Sequence, residues 1–107
     1  GLAKAMGAAL FAEPISARQA SDWGMIWEHV SDEGFDAHWQ ARAAQLAEGP
    51  TQTYKAIKEA IRGSWDNSIE SQLEIEARLQ GACGQSRDFK EGVMAFLEKR
   101  PARFEGR

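Results

Sequence analysis

An aromatic ring followed three residues later by an ammonium group is the arrangement in this sequence that best suits small-molecule binding. Phe96 and Lys99 share one surface of a helix if residues 88–99 are helical, because side chains three apart are neighbours. Arg100 and Arg103 follow them in the chain. A nucleotide base stacks on a ring while cations bind its phosphates. The pattern predicts a nucleotide site; the alternative is that Phe96 packs inside and Lys99 is solvated.

The other residues that could take part in catalysis or metal binding are scattered along the sequence and predict neither kind of site. His29 and His38 lack a carboxylate at ligand spacing. Cys83 stands alone and is expected near a helix C-terminus, where the negative end of the dipole disfavours a thiolate, so we expect a buried small residue. Three glutamates are expected on a solvated helix face: Glu70, Glu74 and Glu76. We therefore predict no catalytic residue and no metal ligand.

The composition is that of one small folded domain. The 107 residues (11.8 kDa) carry 13 Lys and Arg against 16 Asp and Glu, a net charge of −3. This balance argues against a general nucleic-acid or anionic-membrane binder. No segment approaches the roughly 20 apolar residues needed to cross a bilayer, and Gly1–Lys4 does not resemble a signal peptide. With a single cysteine, which excludes an internal disulfide, we expect a cytoplasmic protein.

Glycine and proline residues divide the chain into segments with helical periodicity. We predict an all-α fold of five to six helices in one helical domain or fragment over 1–107, with a tail at 101–107. Ser16, Thr51 and Ser68 are predicted N-caps, and Asp88 with Glu91 is a predicted capping box. The predicted helices cover residues 2–12, 17–23, 33–48, 51–62, 68–83 and 88–99.

Three features of this pattern are unusual. Met25–Val30 is rich in β-branched and aromatic residues, which predicts one extended segment without a partner strand. Apolar residues of the helix at 68–83 span roughly 220° of the helical wheel, so this helix needs two neighbours, inside a bundle or in another subunit. Four tryptophans are predicted to pack in the core or, alternatively, to form an interface or acyl pocket: Trp23, Trp27, Trp39 and Trp65.

Five stretches of the sequence carry a resemblance to a known family. They resemble the C-terminal part of the crotonase superfamily, the enoyl-CoA hydratases and isomerases, and the resemblance covers nearly the whole chain. The end of the chain follows the family's closing pattern D-[FY]-x-E-G-x-x-A-F-x-E-K-R-x-x-x-F. The five stretches are Met6–Phe11, Pro14–Ala20, Trp23–Trp27, Arg87–Val93 and Ala95–Phe104.

The resemblance implies a helical trimerisation region that packs against other subunits and covers a coenzyme A (CoA) site. In the family, an N-terminal spiral of β-strands carries the oxyanion hole and the acidic catalytic residues. That spiral precedes the matched region, so no catalytic residue is transferred. Phe96 matches the aromatic residue beside the CoA adenine, and Lys99 matches the lysine that approaches the CoA phosphates, commonly at a neighbouring subunit's site. The implied ligand is a CoA thioester substrate, with no covalently bound cofactor.

Two functional hypotheses follow. In the first, the chain is the oligomerisation and CoA-covering part of an enzyme that acts on unsaturated or epoxidised acyl-CoA through a thioester enolate, and is inactive alone. Trp23–Trp27 and Gln72–Glu76 resemble the isomerases of phenylacetate degradation, and fatty-acid degradation is the other pathway considered. In the second, the chain is a self-sufficient helical module that binds a partner protein through its tryptophan-rich surface and performs no CoA chemistry.

Overall fold

The computed structural model describes residues 1–107 and contains six α-helices and no β-strand, which confirms the predicted all-α class. A 3₁₀ turn at Asp32–Gly34 precedes the third helix. No helix is long and apolar enough to span a membrane. The chain divides into two compact units, Gly1–Trp39 and Gln40–Arg107. The helices are α1 (Leu2–Phe11), α2 (Ala17–Asp22), α3 (Phe35–Ala47), α4 (Thr51–Gly63), α5 (Ile69–Gly84) and α6 (Arg87–Glu98).

The first unit is organised by local contacts around α2. Ser16 caps this helix as predicted: its hydroxyl accepts from the Gln19 amide (3.2 Å), and the Gln19 side chain accepts from the Ser16 amide (3.0 Å). Gly24 follows the helix with φ +72, a left-handed conformation that glycine adopts without steric cost. The Lys4 ammonium lies 4.4 Å from the centre of a Trp23 ring.

The extended strand predicted after Gly24 is wrong for residues 25–27, which form a bend. The Met25 and Ile26 amides both donate to the Ala20 carbonyl, at 2.8 and 3.4 Å. A strand needs a partner for its backbone groups, whereas the end of α2 offers unpaired carbonyl oxygens. Helix termination therefore decides the backbone conformation here, against the β propensity of the side chains.

The second unit is built on the contact between α4 and α5. Gln72 joins the two helices, because its amide nitrogen donates to the Ala60 carbonyl at 3.2 Å. Its side-chain oxygen accepts from Asn67 in the connecting loop at 2.9 Å. Arg78 and Glu59 form an exposed ion pair of 2.8 Å across the same two helices. Helix α6 contacts α5.

Two of the four predicted caps are placed differently by the structure. Ser68 caps α5 as predicted and accepts from the Ser71 amide at 3.2 Å. Thr51 is the first residue of α4 and not its cap, since Pro50 holds that position. Ser86 caps α6 by accepting from the Phe89 amide at 3.0 Å, so Asp88 lies inside the first turn. Both Ser86 and Asp88 are good capping residues, and the contacts of Asp88 with the tail decide between them.

Burial inside this chain is limited. Ala95 and Asp88, each 3% exposed, are the only buried side chains. Trp65 is 92% and Trp27 88% exposed, so the predicted core role is wrong for these two tryptophans. Cys83 is half-buried and not buried as predicted. The apolar arc of α5 is divided: Ile75, Leu79 and Cys83 are half-buried, whereas Ile69 and Leu73 are exposed.

The C-terminal tail has no regular secondary structure and folds back onto α6 through Asp88. The Glu105 and Gly106 amides donate to its two carboxylate oxygens at 2.7 and 2.8 Å. The Asp88 amide in turn donates to the Arg107 carbonyl at 3.0 Å. Gly106 has φ +77, and a Cβ there would lie 2.5 Å from the Thr51 hydroxyl oxygen, so this contact with α4 requires glycine.

A second carboxylate, Glu91, holds the beginning of the tail. Its two oxygens accept from the two terminal nitrogens of Arg100 at 2.6 and 3.0 Å. It also accepts from the Arg103 amide at 2.8 Å. These hydrogen bonds lower the pKa of Glu91 to about 2, the bond from Arg100 being the largest cause. Asp88 and Glu91, one helical turn apart, thus fix residues 100–107 along α6.

Asp88→Ala is expected to destabilise the protein by about 1–3 kcal/mol, because the tail amides lose their acceptor. Urea denaturation of the full-length polypeptide that carries these residues measures this loss, and hydrogen exchange locates it at the Glu105 and Gly106 amides. Glu70→Ala is the matched control, since Glu70 is an exposed acidic residue in the first turn of α5. Equal stability and exchange in the two variants would contradict the anchoring role.

The ionisation of Glu91 gives a second test. A carboxylate with a depressed pKa contributes stability above its unfolded value of 4.5, and this contribution is lost as the pH falls from there through about 2. Carbon NMR of the Glu91 carboxyl group should therefore show a midpoint near 2, and Arg100→Ala should move it back towards 4.5. A midpoint already near 4.5 in the unchanged protein would show that the ion pair does not form in solution.

Candidate functional site

Phe96 lies on the outer surface of α6 and is 83% exposed. It lines a shallow concavity of about 320 Å³ together with Phe89, Gly92, Val93 and Leu97. The apolar side chains of this helix therefore form an open surface, and within this chain Phe96 does not pack in an interior. Such a surface can accept a planar ring by stacking.

Lys99 stands at the end of α6 in the left-handed conformation, with φ 54 and ψ 41. Its amide donates to the Phe96 carbonyl at 3.3 Å, which ties the two predicted site residues through the backbone. The helix itself ends at Glu98, one residue earlier than predicted. The Lys99 side chain is exposed and forms no ion pair, so its ammonium is free for an anion.

The guanidinium of Arg100, which follows Lys99, is held by carboxylates of α6. Arg100 binds Glu91 through both terminal nitrogens and Glu98 through Nε at 2.6 Å. These two carboxylates raise its pKa, Glu91 being the larger cause. Arg103 contributes its backbone amide to Glu91. The Lys99 ammonium, unlike the Arg100 guanidinium, forms no ion pair.

The other candidate residues do not assemble into a catalytic or metal site. His38 pairs with Glu28 at 2.9 Å, and His29 is exposed without a partner carboxylate. Nowhere do three or more His, Cys, Asp or Glu side chains gather as a metal site would require. The glutamates of α5 are exposed, and Glu76 accepts from Gln72 at 2.8 Å. Phe96 and Lys99 place an exposed ring and an exposed ammonium at the end of α6.

The ion pair between Glu91 and Arg100 was not predicted from the sequence. The two residues are too far apart along the chain to be neighbours on one helix surface, and the pair forms because the chain reverses direction at Lys99. Pro101 signals the end of the helix, but nothing local specifies which carboxylate the returning arginine meets. Asp88 was found as a helix-start residue, while its contact with residues 105–106 depends on the same reversal.

Comparison with known proteins places these helices in a family. The enoyl-CoA hydratase/isomerase family model matches residues 1–107. The chain is 56% identical over 107 residues to a probable enoyl-CoA hydratase of Rhodobacter capsulatus. The match covers 100% of this chain and 42% of that protein. The chain is 44% identical over 107 residues to 1,2-epoxyphenylacetyl-CoA isomerase of Escherichia coli. This match covers 100% of the chain and 41% of that protein.

Solved structures show the same likeness. All of this chain superposes, with a TM-score of 0.92 and 34% identity, on 41% of a Mycobacterium abscessus protein of the enoyl-CoA hydratase/isomerase type. An enoyl-CoA hydratase of Geobacillus kaustophilus gives a TM-score of 0.82 at 28% identity, over 92% of this chain and 37% of that protein. The chain thus spans about two fifths of the length of the proteins that it matches.

The all-α architecture agrees with the helical C-terminal region that the resemblance implied, and the family model matches every residue from 1 to 107. The chain belongs to the enoyl-CoA hydratase/isomerase family, the crotonase superfamily.

Proposed function

We propose that this chain is the oligomerisation and CoA-covering part of an enzyme that acts on acyl-CoA thioesters through an enolate. The single observation that carries the proposal is the open surface at the end of α6, where an exposed ring and an unpaired ammonium stand on a chain of this family. The reaction centre is then supplied by the family's β-spiral region. The helices bind the substrate and cover it, and alone they are inactive.

In this proposal Phe96 stacks against the CoA adenine and Lys99 binds a CoA phosphate. A flat aromatic surface on α6 suits a base, which has two apolar faces. An ammonium is a compact charge on a flexible stem, which suits a phosphate that is partly solvated. Both residues occupy the positions that the family's closing motif assigns to these contacts, so the chain contributes affinity for the nucleotide and no group to the chemistry.

The exposed apolar side chains support self-association in a homo-oligomer, of the trimer type in this family. Trp27, Trp65 and Leu73 expose large apolar area to solvent in the isolated chain. Large apolar area left exposed is typical of protein interfaces. In an oligomer the open side of α5 would gain its second neighbour. The cysteine content remains consistent with a place in the cytoplasm.

The substrate that we propose is an unsaturated or epoxidised acyl-CoA, as used in phenylacetate or fatty-acid degradation. The names of two relatives point in these two directions: a probable enoyl-CoA hydratase and a 1,2-epoxyphenylacetyl-CoA isomerase. Both names denote CoA thioesters. In either reaction a thioester enolate is stabilised by oxyanion-hole donors, and those donors lie outside this chain. The choice between hydratase and isomerase chemistry therefore rests with the rest of the enzyme.

Titration calorimetry with CoA on the full-length polypeptide that carries these residues tests the proposal. Phe96→Ala should weaken binding at least about fivefold, because base–aromatic stacking is lost. Lys99→Ala should weaken it about three- to tenfold and flatten its dependence on salt, because one charge contact is lost.

The matched control is Lys90→Ala, which removes another exposed lysine from α6 and should leave CoA affinity unchanged. Equal affinities in all of these variants would show that CoA does not bind at this end of α6. Absence of any CoA binding, together with capture of a partner protein on the tryptophan-rich surface, would favour the self-sufficient helical module.

A further inference from the structure

Lys99 adopts a backbone conformation that its side chain does not favour. Non-glycine residues seldom take the left-handed region, and helices that end in it normally carry glycine or asparagine at that position. Ala12 takes the same conformation at the end of α1, and in both places contacts of the surrounding chain must offset the backbone strain. The residues on both sides of Lys99 show what imposes the conformation there.

The contacts that hold Lys99 converge on its neighbour Arg100. The Arg100 amide donates back to the Ala95 carbonyl at 3.0 Å, which closes the end of α6. Its guanidinium forms two parallel hydrogen bonds with Glu91 and a third with Glu98. A bidentate arginine–carboxylate pair fixes orientation as well as distance. The path of the chain after Lys99 is therefore set by a carboxylate two turns back on the same helix.

We infer that Glu91 is a positioning residue for nucleotide binding: through Arg100 it holds the backbone of Lys99, and with it the origin of the lysine side chain, in a fixed position at the end of α6. This inference rests on the proposed function, because it assigns Lys99 to a phosphate of CoA. It adds that Glu91 and Arg100, which would not contact CoA themselves, determine how well Lys99 binds that phosphate. It also explains why a lysine occupies a position where glycine would be less strained.

A double-mutant cycle read out by CoA titration tests this inference. Glu91→Gln should weaken CoA binding about three- to fivefold, because an amide cannot replace the bidentate ion pair. In a Lys99→Ala background the same substitution should have no further effect, because Glu91 acts through Lys99. The matched control is Glu59→Gln, which breaks the exposed pair with Arg78 on α4 and α5 and should leave CoA affinity unchanged.

The outcomes separate the inference from the proposed function. If Lys99→Ala alone leaves CoA affinity unchanged, the proposed CoA contact is wrong and the inference falls with it. If Lys99→Ala weakens binding but Glu91→Gln does not, only the inference is overturned. Equal loss from Glu91→Gln in both backgrounds would also overturn it, because the effect would then be structural. If Glu91→Gln does not fold, Arg100→Lys enters the same cycle with the same expectations, since lysine cannot form the bidentate pair.

Discussion

Hydrophobic burial stabilises a chain only where apolar side chains find neighbours, and these helices supply few neighbours for one another. Ala95 is the sole buried apolar side chain, while Trp27, Trp65 and Phe96 remain largely exposed. We propose that other protein surface or ligand supplies the missing neighbours, since water is an unfavourable environment for so much apolar area. This constraint accounts for the divided arc of α5 and for the open surface of α6. It also connects architecture to function, because surfaces left uncovered within the chain are those through which it would associate and bind.

Polar contacts, more than a hydrophobic core, hold the C-terminal tail against α6. Asp88 and Glu91 stand one turn apart on α6, and each accepts hydrogen bonds from backbone amides of the returning tail. Buried at the start of a helix, Asp88 also benefits from the positive end of the helix dipole. Together these two carboxylates fix residues 100–107 along the helix. The chain reverses direction at Lys99, so the contacts that fix the tail also set the backbone geometry of the proposed nucleotide site.

Local signals in the sequence predicted the helices well, because a cap depends on residues three positions apart. Ser16 and Ser68 act as caps as expected. Local signals failed where a distant contact decides the outcome. The choice of Ser86 over Asp88 as the cap of α6 depends on the tail, and the engagement of Arg100 depends on Glu91 across a chain reversal. Trp65 was expected in a core because large aromatic residues are usually buried, but this chain offers no partner surface for it. The family itself was recognisable from the order of its motifs, since that order does not depend on packing.

We propose that the exposed apolar faces of these helices are association surfaces. Light scattering of the 107-residue chain over a concentration series tests it most directly, because the mass of the native particle reports whether those faces find each other. We expect a stable oligomer with a mass that is a multiple of 11.8 kDa. A well-folded monomer that persists at high concentration would contradict it, since the helices would then close a core alone.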